Sequence, residues 1–123
     1  MEISYRDSEE SKQAGITYHL AIVEEWEAQK SGESYIPGAY EADGFIHCTD
    51  GLDLLTNVAN MFYQGSADAR TILVLDVSKI ESEIKYEDPD QTFPHIYGPL
   101  NTSAVIAELP VERNETGVFT KLG

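Results

Sequence analysis

Apolar and polar residues alternate over Ile16–Ile22: Ile16, Tyr18, Leu20 and Ile22 share one side, and Thr17, His19 and Ala21 the other. A period of two is the mark of a strand, so a first strand is predicted over residues 16–23. The small neighbours of His19 leave room beside its ring. That suits a cleft wall, or a half-buried histidine bonded to a backbone carbonyl. Glu24–Gln29 reads as a short helix anchored by Trp26 and ended by Ser31-Gly32. Residues 33–43 carry Tyr35, Pro37, Gly38 and Tyr40 without a period and are predicted to be a loop of the kind that covers sites.

The stretch Gly44-Phe45-Ile46-His47-Cys48-Thr49 reads as a strand entered by a glycine. Alternation puts Phe45, His47 and Thr49 on one face, and Ile46 and Cys48 on the core face. A helix is predicted from Asp50, its N-cap, to about Tyr63, with Asp53 suiting the positive helix end. Leu52, Leu55, Ala59 and Phe62 form its apolar face, Val58 and Met61 widen it, and Gly65 stops it. Residues 70–77 are nearly all apolar, as in a central strand buried on both faces. Residues 84–87 form a short strand that Asp88-Pro89-Asp90 breaks. Phe93–Leu100 is too rich in Pro and Gly for a regular element. Residues 104–111 make a last strand, and the tail from Glu112 adds an edge strand. Helices among early strands, then strands in succession, predict an α+β fold with small twisted mixed or antiparallel sheets and two main helices.

Residues 1–14 are polar and aperiodic and are expected to be a flexible extension of one domain spanning 15–123. A length of 123 residues suits one modest core. No apolar run reaches the ~20 residues of a membrane helix, and the first residues lack the apolar stretch of a signal peptide. With a single cysteine, Cys48, the chain is expected to be cytoplasmic. The net charge of −14 repels phosphate backbones and anionic lipid, so neither nucleic acid nor membrane is an expected partner.

Three histidines, His19, His47 and His95, sit beside aromatic residues. They lack the paired spacings of a metal site, and His47 and Cys48 point to opposite faces of one strand, so no metal is expected. Nothing basic flanks Cys48 to activate its thiol. No glycine-framed serine elbow, dinucleotide fingerprint or phosphate loop is present. What remains is a polar cleft for a small molecule. Histidines, tyrosines and Thr49 would hydrogen-bond it, and Trp26, Phe45 or Phe93 would stack on a flat ring. His residues also suit acid–base work.

The succession Tyr18-His19, Glu25-Trp26-Glu27-Ala28, Gly32-Glu33-Ser34-Tyr35, Gly44-Phe45-Ile46-His47-Cys48-Thr49, Val58-Ala59-Asn60-Met61-Phe62-Tyr63-Gln64-Gly65, Tyr86-Glu87 and Phe93-Pro94-His95-Ile96-Tyr97-Gly98-Pro99-Leu100-Asn101 resembles the domain-of-unknown-function family 952 (DUF952) from about residue 16 to Val111. The family's activity is not established. Its remote grouping with the ADP-ribosyltransferase-like fold implies two small sheets around a cleft for NAD. The resemblance then implies that His19 and His47 orient a ribose, that Thr49 and Tyr97 add hydrogen bonds, and that His95 or Glu87 is the acid–base group. The implied reaction is ADP-ribosyl or related glycosyl transfer. The alternative is a non-catalytic small-ligand or protein-interaction module, with the 33–43 and 93–100 segments as its surface.

Overall fold

A computed structural model describes residues 2–123. In chain order the elements are α1 (Ser8–Gln13), β1 (Ile16–Ile22), α2 (Val23–Gln29), β2 (Ser34–Tyr35), α3 (Tyr40–Asp43), β3 (Ile46–His47), α4 (Leu52–Phe62), β4 (Arg70–Asp76), β5 (Glu83–Tyr86), β6 (Pro94–Tyr97), β7 (Leu100–Asn101), β8 (Val105–Leu109), β9 (Val111–Arg113) and β10 (Phe119–Leu122). Two three-stranded sheets carry the fold, β1-β4-β8 and β3-β6-β5, with β2-β7 and β9-β10 as small pairs. Every named pair is antiparallel, so the α+β expectation resolves to small antiparallel sheets rather than mixed ones.

The alternating pattern divides the core at the first sheet. Ile16, Tyr18 and Leu20 of β1 and Ile72 and Val74 of β4 pack with Leu52, Leu55 and Ala59 of α4. Leu73 and Leu75 of β4 and Ala21 of β1 point the other way, onto Trp26, Tyr35, Ile46, Ile96 and Leu100. Each large apolar side chain so buried contributes about 1.5–3 kcal/mol. His19 is on this second side, opposite Leu73 in the ladder. The second sheet is joined to the β1 edge by one bridge: Tyr18 N–H donates to Thr49 O at 3.1 Å, and Thr49 N–H to Tyr18 O at 2.8 Å. Beyond that bridge the pairing stops, and a cleft opens.

Several expectations are corrected. Residues 2–14 are not a free extension. Asp7 caps α1 by accepting from the Glu9 and Glu10 amides, and Ser11 is buried with its hydroxyl donating to Ile16 O at 2.6 Å. Tyr18 OH donates to Ile3 O at 2.6 Å and accepts from Tyr5 N–H at 2.8 Å. The anchoring groups are few, so the segment's polar composition hides them. Gly51 shows how closely this segment docks. Its φ is +92°, and a Cβ there would lie 2.8 Å from Ser8 N. Asp50 is not the α4 cap. Gly51 holds that position, and Asp50 is fully buried, accepting from Tyr86 OH at 2.8 Å. Met61 and Phe62 are exposed rather than core, because the buried stripe of α4 is only Leu52, Leu55 and Ala59. The 33–43 loop contains β2 and α3, and the Pro-rich 93–100 stretch supplies β6, the middle strand of its sheet. Pro94 is tolerated because it is the first residue of that strand, where only its carbonyl is used, accepting from Cys48 N–H at 3.0 Å.

Candidate functional site

Strand register brings two of the histidines together. His47 of β3 pairs directly with His95 of β6, and their rings lie 5.7 Å apart at 71°. Cross-strand partners share a face, so both imidazoles project from one side of the sheet. Phe45 lies flat on His95, with ring centroids 3.8 Å apart and 14° between planes, and meets His47 at 4.7 Å and Tyr97 at 5.5 Å.

Each ring is held by a carboxylate. His47 Nε2 is 2.8 Å from Asp43 Oδ2, and His95 Nδ1 is 3.1 Å from Glu87 Oε1. A carboxylate accepts, so these nitrogens carry the protons. Among the described residues no hydrogen bond engages His47 Nδ1 or His95 Nε2, which in the neutral rings carry a lone pair. A carboxylate that fixes the tautomer and leaves the other nitrogen free is the base-and-orienter half of a catalytic triad. Tyr97 OH also donates to Glu87 Oε1. This hydroxyl, then His95, hold the Glu87 carboxyl below its ordinary range.

His19 differs. Its Nδ1 is 2.7 Å from the His47 carbonyl and its Nε2 is 2.9 Å from Tyr35 OH. The carbonyl can only accept, so Nδ1–H donates to it and Nε2 accepts the Tyr35 hydroxyl. Both nitrogens are engaged by the protein. Burial lowers the His19 pKa to about 4, so the ring is neutral. It closes the gap beyond the Tyr18–Thr49 bridge with a side chain in place of a ladder bond.

The cleft has two connected parts. An inner recess of about 120 Å³ lies against His19, Tyr35, Glu25, Phe45, His47 and Arg70. An outer cavity of about 550 Å³ lies against His47, His95, Glu87, Phe62, Tyr63 and Phe93. His47 and Thr49 belong to both, so His19, His47, His95, Glu87, Phe45 and Thr49 converge. Tyr97 reaches them through Phe45 and Glu87. Trp26 does not join them. It is a core residue, 4% exposed, with its ring edge-on to Tyr35 at 5.5 Å. Burial raises the Cys48 thiol, so it stays protonated on the core face.

Three participants escape the sequence reading. Asp43 lies in the stretch taken as an aperiodic loop, yet its placement four residues before His47 is that of a local partner. Tyr35 lies in the same stretch. Arg70 opens β4 beside Ile22, and its side chain is 8% exposed. Only strand register shows that it reaches the cleft. For NAD, the cleft offers aromatic faces and one cation. The N-terminus of α4 offers its pyrophosphate no seat, because the Leu52 and Asp53 amides donate to Tyr5 O and Arg6 O. Among the described residues no group of three or more His, Cys, Asp or Glu is placed to hold a metal ion. Among the described residues no helix is long and apolar enough to cross a membrane.

The model of a family described as "Protein of unknown function (DUF952)" matches residues 21–108. That span includes His47, Glu87 and His95 and begins after His19. The crystal structure of protein CC0527 from Caulobacter crescentus is similar, with 26% identity and a TM-score of 0.71 over 85% of this chain and 93% of that one. The solution NMR structure of CC0527 matches with 26% identity and a TM-score of 0.68 over 86% and 92%. No curated protein matches the chain.

Proposed function

The chain belongs to the DUF952 family, and on that premise we propose that its cleft binds a small ring-bearing ligand and moves a proton on it. The observation that carries this reading is the His47–His95 pair, with each ring oriented by its own carboxylate and keeping one nitrogen free. His47, exposed at the junction of the two cavities, is the general base. Asp43 stabilises the imidazolium that forms. His95, with Glu87 and Tyr97, is the second proton-transfer group. Phe45 and Phe93 offer faces to a flat ring.

The family resemblance points to ADP-ribosyl or related glycosyl transfer with NAD as the donor. In that reaction the bond from ribose C1′ to nicotinamide breaks and nicotinamide leaves with the electron pair. An acceptor oxygen closes on C1′, and its proton passes to His47 Nδ1. His19 would support this as a rigid wall, not as an acid or base.

The alternative, a recognition surface without chemistry, requires all three histidines to be locked by the backbone. Only His19 is bonded in that way. The test is calorimetric titration with NAD, ADP-ribose and nicotinamide, followed by an assay for nicotinamide release. The reading expects saturable binding by at least one of them, lost in His47→Ala. No binding by the wild type, with the fold intact, contradicts the NAD form of the proposal.

A further inference from the structure

The inner recess is bordered by a buried charge whose one ion pair is long. Arg70 is 8% exposed at its side chain, and its Nε is buried with no hydrogen-bond partner among the described residues. Its closest carboxylate oxygen, on Asp68, is 4.0 Å from Nη2, beyond hydrogen-bond reach. The guanidinium is held in place by the face of Tyr63, 4.1 Å below it. A buried guanidinium pays a desolvation penalty that only a partner offsets. A ligand that supplied a partner would offset that penalty, and here the group borders a recess that is open to the main cleft.

A guanidinium edge of Nε–H and one Nη–H matches two oxygens of one anionic group. The rest of the recess sets the size of that charge. Glu25 lines the same space, with Oε1 accepting from Gly38 N–H at 3.1 Å. Tyr35 lines this recess together with Glu25 and Arg70. One cation beside one carboxylate favours a singly charged guest and opposes a second negative charge.

We propose that the inner recess is a seat for one monoanionic oxygen group, a carboxylate or a phosphodiester, held side-on by Arg70 and selected against dianions by Glu25. The seat rests on reading the cleft as a ligand site, and it makes the ligand a ring-bearing monoanion. Tyr63 is a positioning residue, its ring face 4.1 Å from the guanidinium carbon.

The test follows the Arg70 Nε–H and the imidazole resonances of the full chain by nitrogen-15 NMR. The probes are benzoate, diphenyl phosphate, phenyl phosphate and benzamide. The expected result is a saturable shift of Arg70 Nε–H with benzoate or diphenyl phosphate. Which of the two binds tells the carboxylate source from the phosphodiester source. Phenyl phosphate binds at least roughly tenfold more weakly, and benzamide leaves Arg70 unmoved. Glu25→Gln narrows the gap between phenyl phosphate and the monoanions, and Arg70→Gln abolishes the response. The wild-type comparison stands even where Arg70→Gln does not fold. The seat is overturned if no monoanion moves Arg70, or if phenyl phosphate binds tighter than both. If NAD shifts His47 and His95 while every monoanion leaves Arg70 unmoved, the cleft reading survives and the seat falls. If monoanions seat on Arg70 while no ring ligand disturbs His47 or His95, the seat survives and the proton-transfer reading falls.

Discussion

His19 and His47 are joined by a single hydrogen bond, from the His19 ring to the His47 carbonyl, yet they occupy opposite environments. His19 is 6% exposed, and the protein uses both of its nitrogens. The His47 side chain is 52% exposed, and one carboxylate holds one nitrogen. His95 resembles His47 in this respect. One residue type thus serves as a structural clamp on the closed sheet and, in the proposed reading, as a proton-transfer pair on the open one. Register decides which: His19 lies on the face of β1-β4 that packs on Trp26 and Tyr35, while His47 and His95 share one face of β3-β6.

The sharpest way to break this contrast is to delete each ring. His19→Ala leaves a void and removes partners from the His47 carbonyl and the Tyr35 hydroxyl, and is expected to cost about 3–4 kcal/mol in denaturant unfolding. His47→Ala and His95→Ala are expected to cost less than about 1 kcal/mol while abolishing ligand response. Equal costs for the three would erase the distinction.

Acid should reproduce the first effect without mutation. The folded His19 pKa lies at about 4 against an ordinary 6.5. Between these values the unfolded chain binds the extra proton, so stability falls as pH drops through that window. The loss attributable to His19 reaches about 3 kcal/mol, and His19→Ala should flatten this part of the pH–stability curve. Asp50 contributes with the opposite sign. Burial raises its carboxyl, so its contribution is fully present below the ordinary Asp range and is lost as pH rises through the raised folded value. Asp50→Asn is therefore expected to be neutral, or stabilising by about 1 kcal/mol, at pH 7, and to lose that advantage in acid.

Two smaller changes refine the picture. Tyr35→Phe removes the hydroxyl that His19 Nε2 accepts and should cost about 1–2 kcal/mol, without touching the His47–Asp43 bond. Met61→Ser lies on the exposed end of α4 and should change stability by less than about 0.5 kcal/mol.

The period-two pattern exposed what the backbone dictates. The strand over β1 and the facing of His47 and Phe45 against Ile46 and Cys48 follow from alternation, and the central burial of β4 from its nearly continuous apolar run. What escaped depends on contacts between distant segments. Trp26 reads the same whether it stacks on a ligand or on Tyr35. Asp50 has the composition of a cap, but α1 and the segment before it pack on Gly51, and the carboxylate turns inward to Tyr86. Arg70 is one charge at the edge of an apolar run, and only its register with Ile22 carries it to the recess. Residues 2–14, expected as part of an extension, dock through groups that their polar composition conceals: Arg6 on Asp53 and the Leu122 carbonyl, Ser11 on the Ile16 carbonyl, and the Tyr5 and Arg6 carbonyls on the first amides of α4.

The measurement that most directly tests the contrast is nitrogen-15 NMR of the three imidazoles over about pH 5 to 8, with and without NAD. The account predicts that His19 stays in its Nδ1–H form and does not protonate across that range. It also predicts that neutral His47 carries its proton on Nε2 and His95 on Nδ1, and that only these two rings shift when ligand is added. A His19 ring that titrates near neutrality, or that responds to ligand while His47 and His95 stay still, would contradict it.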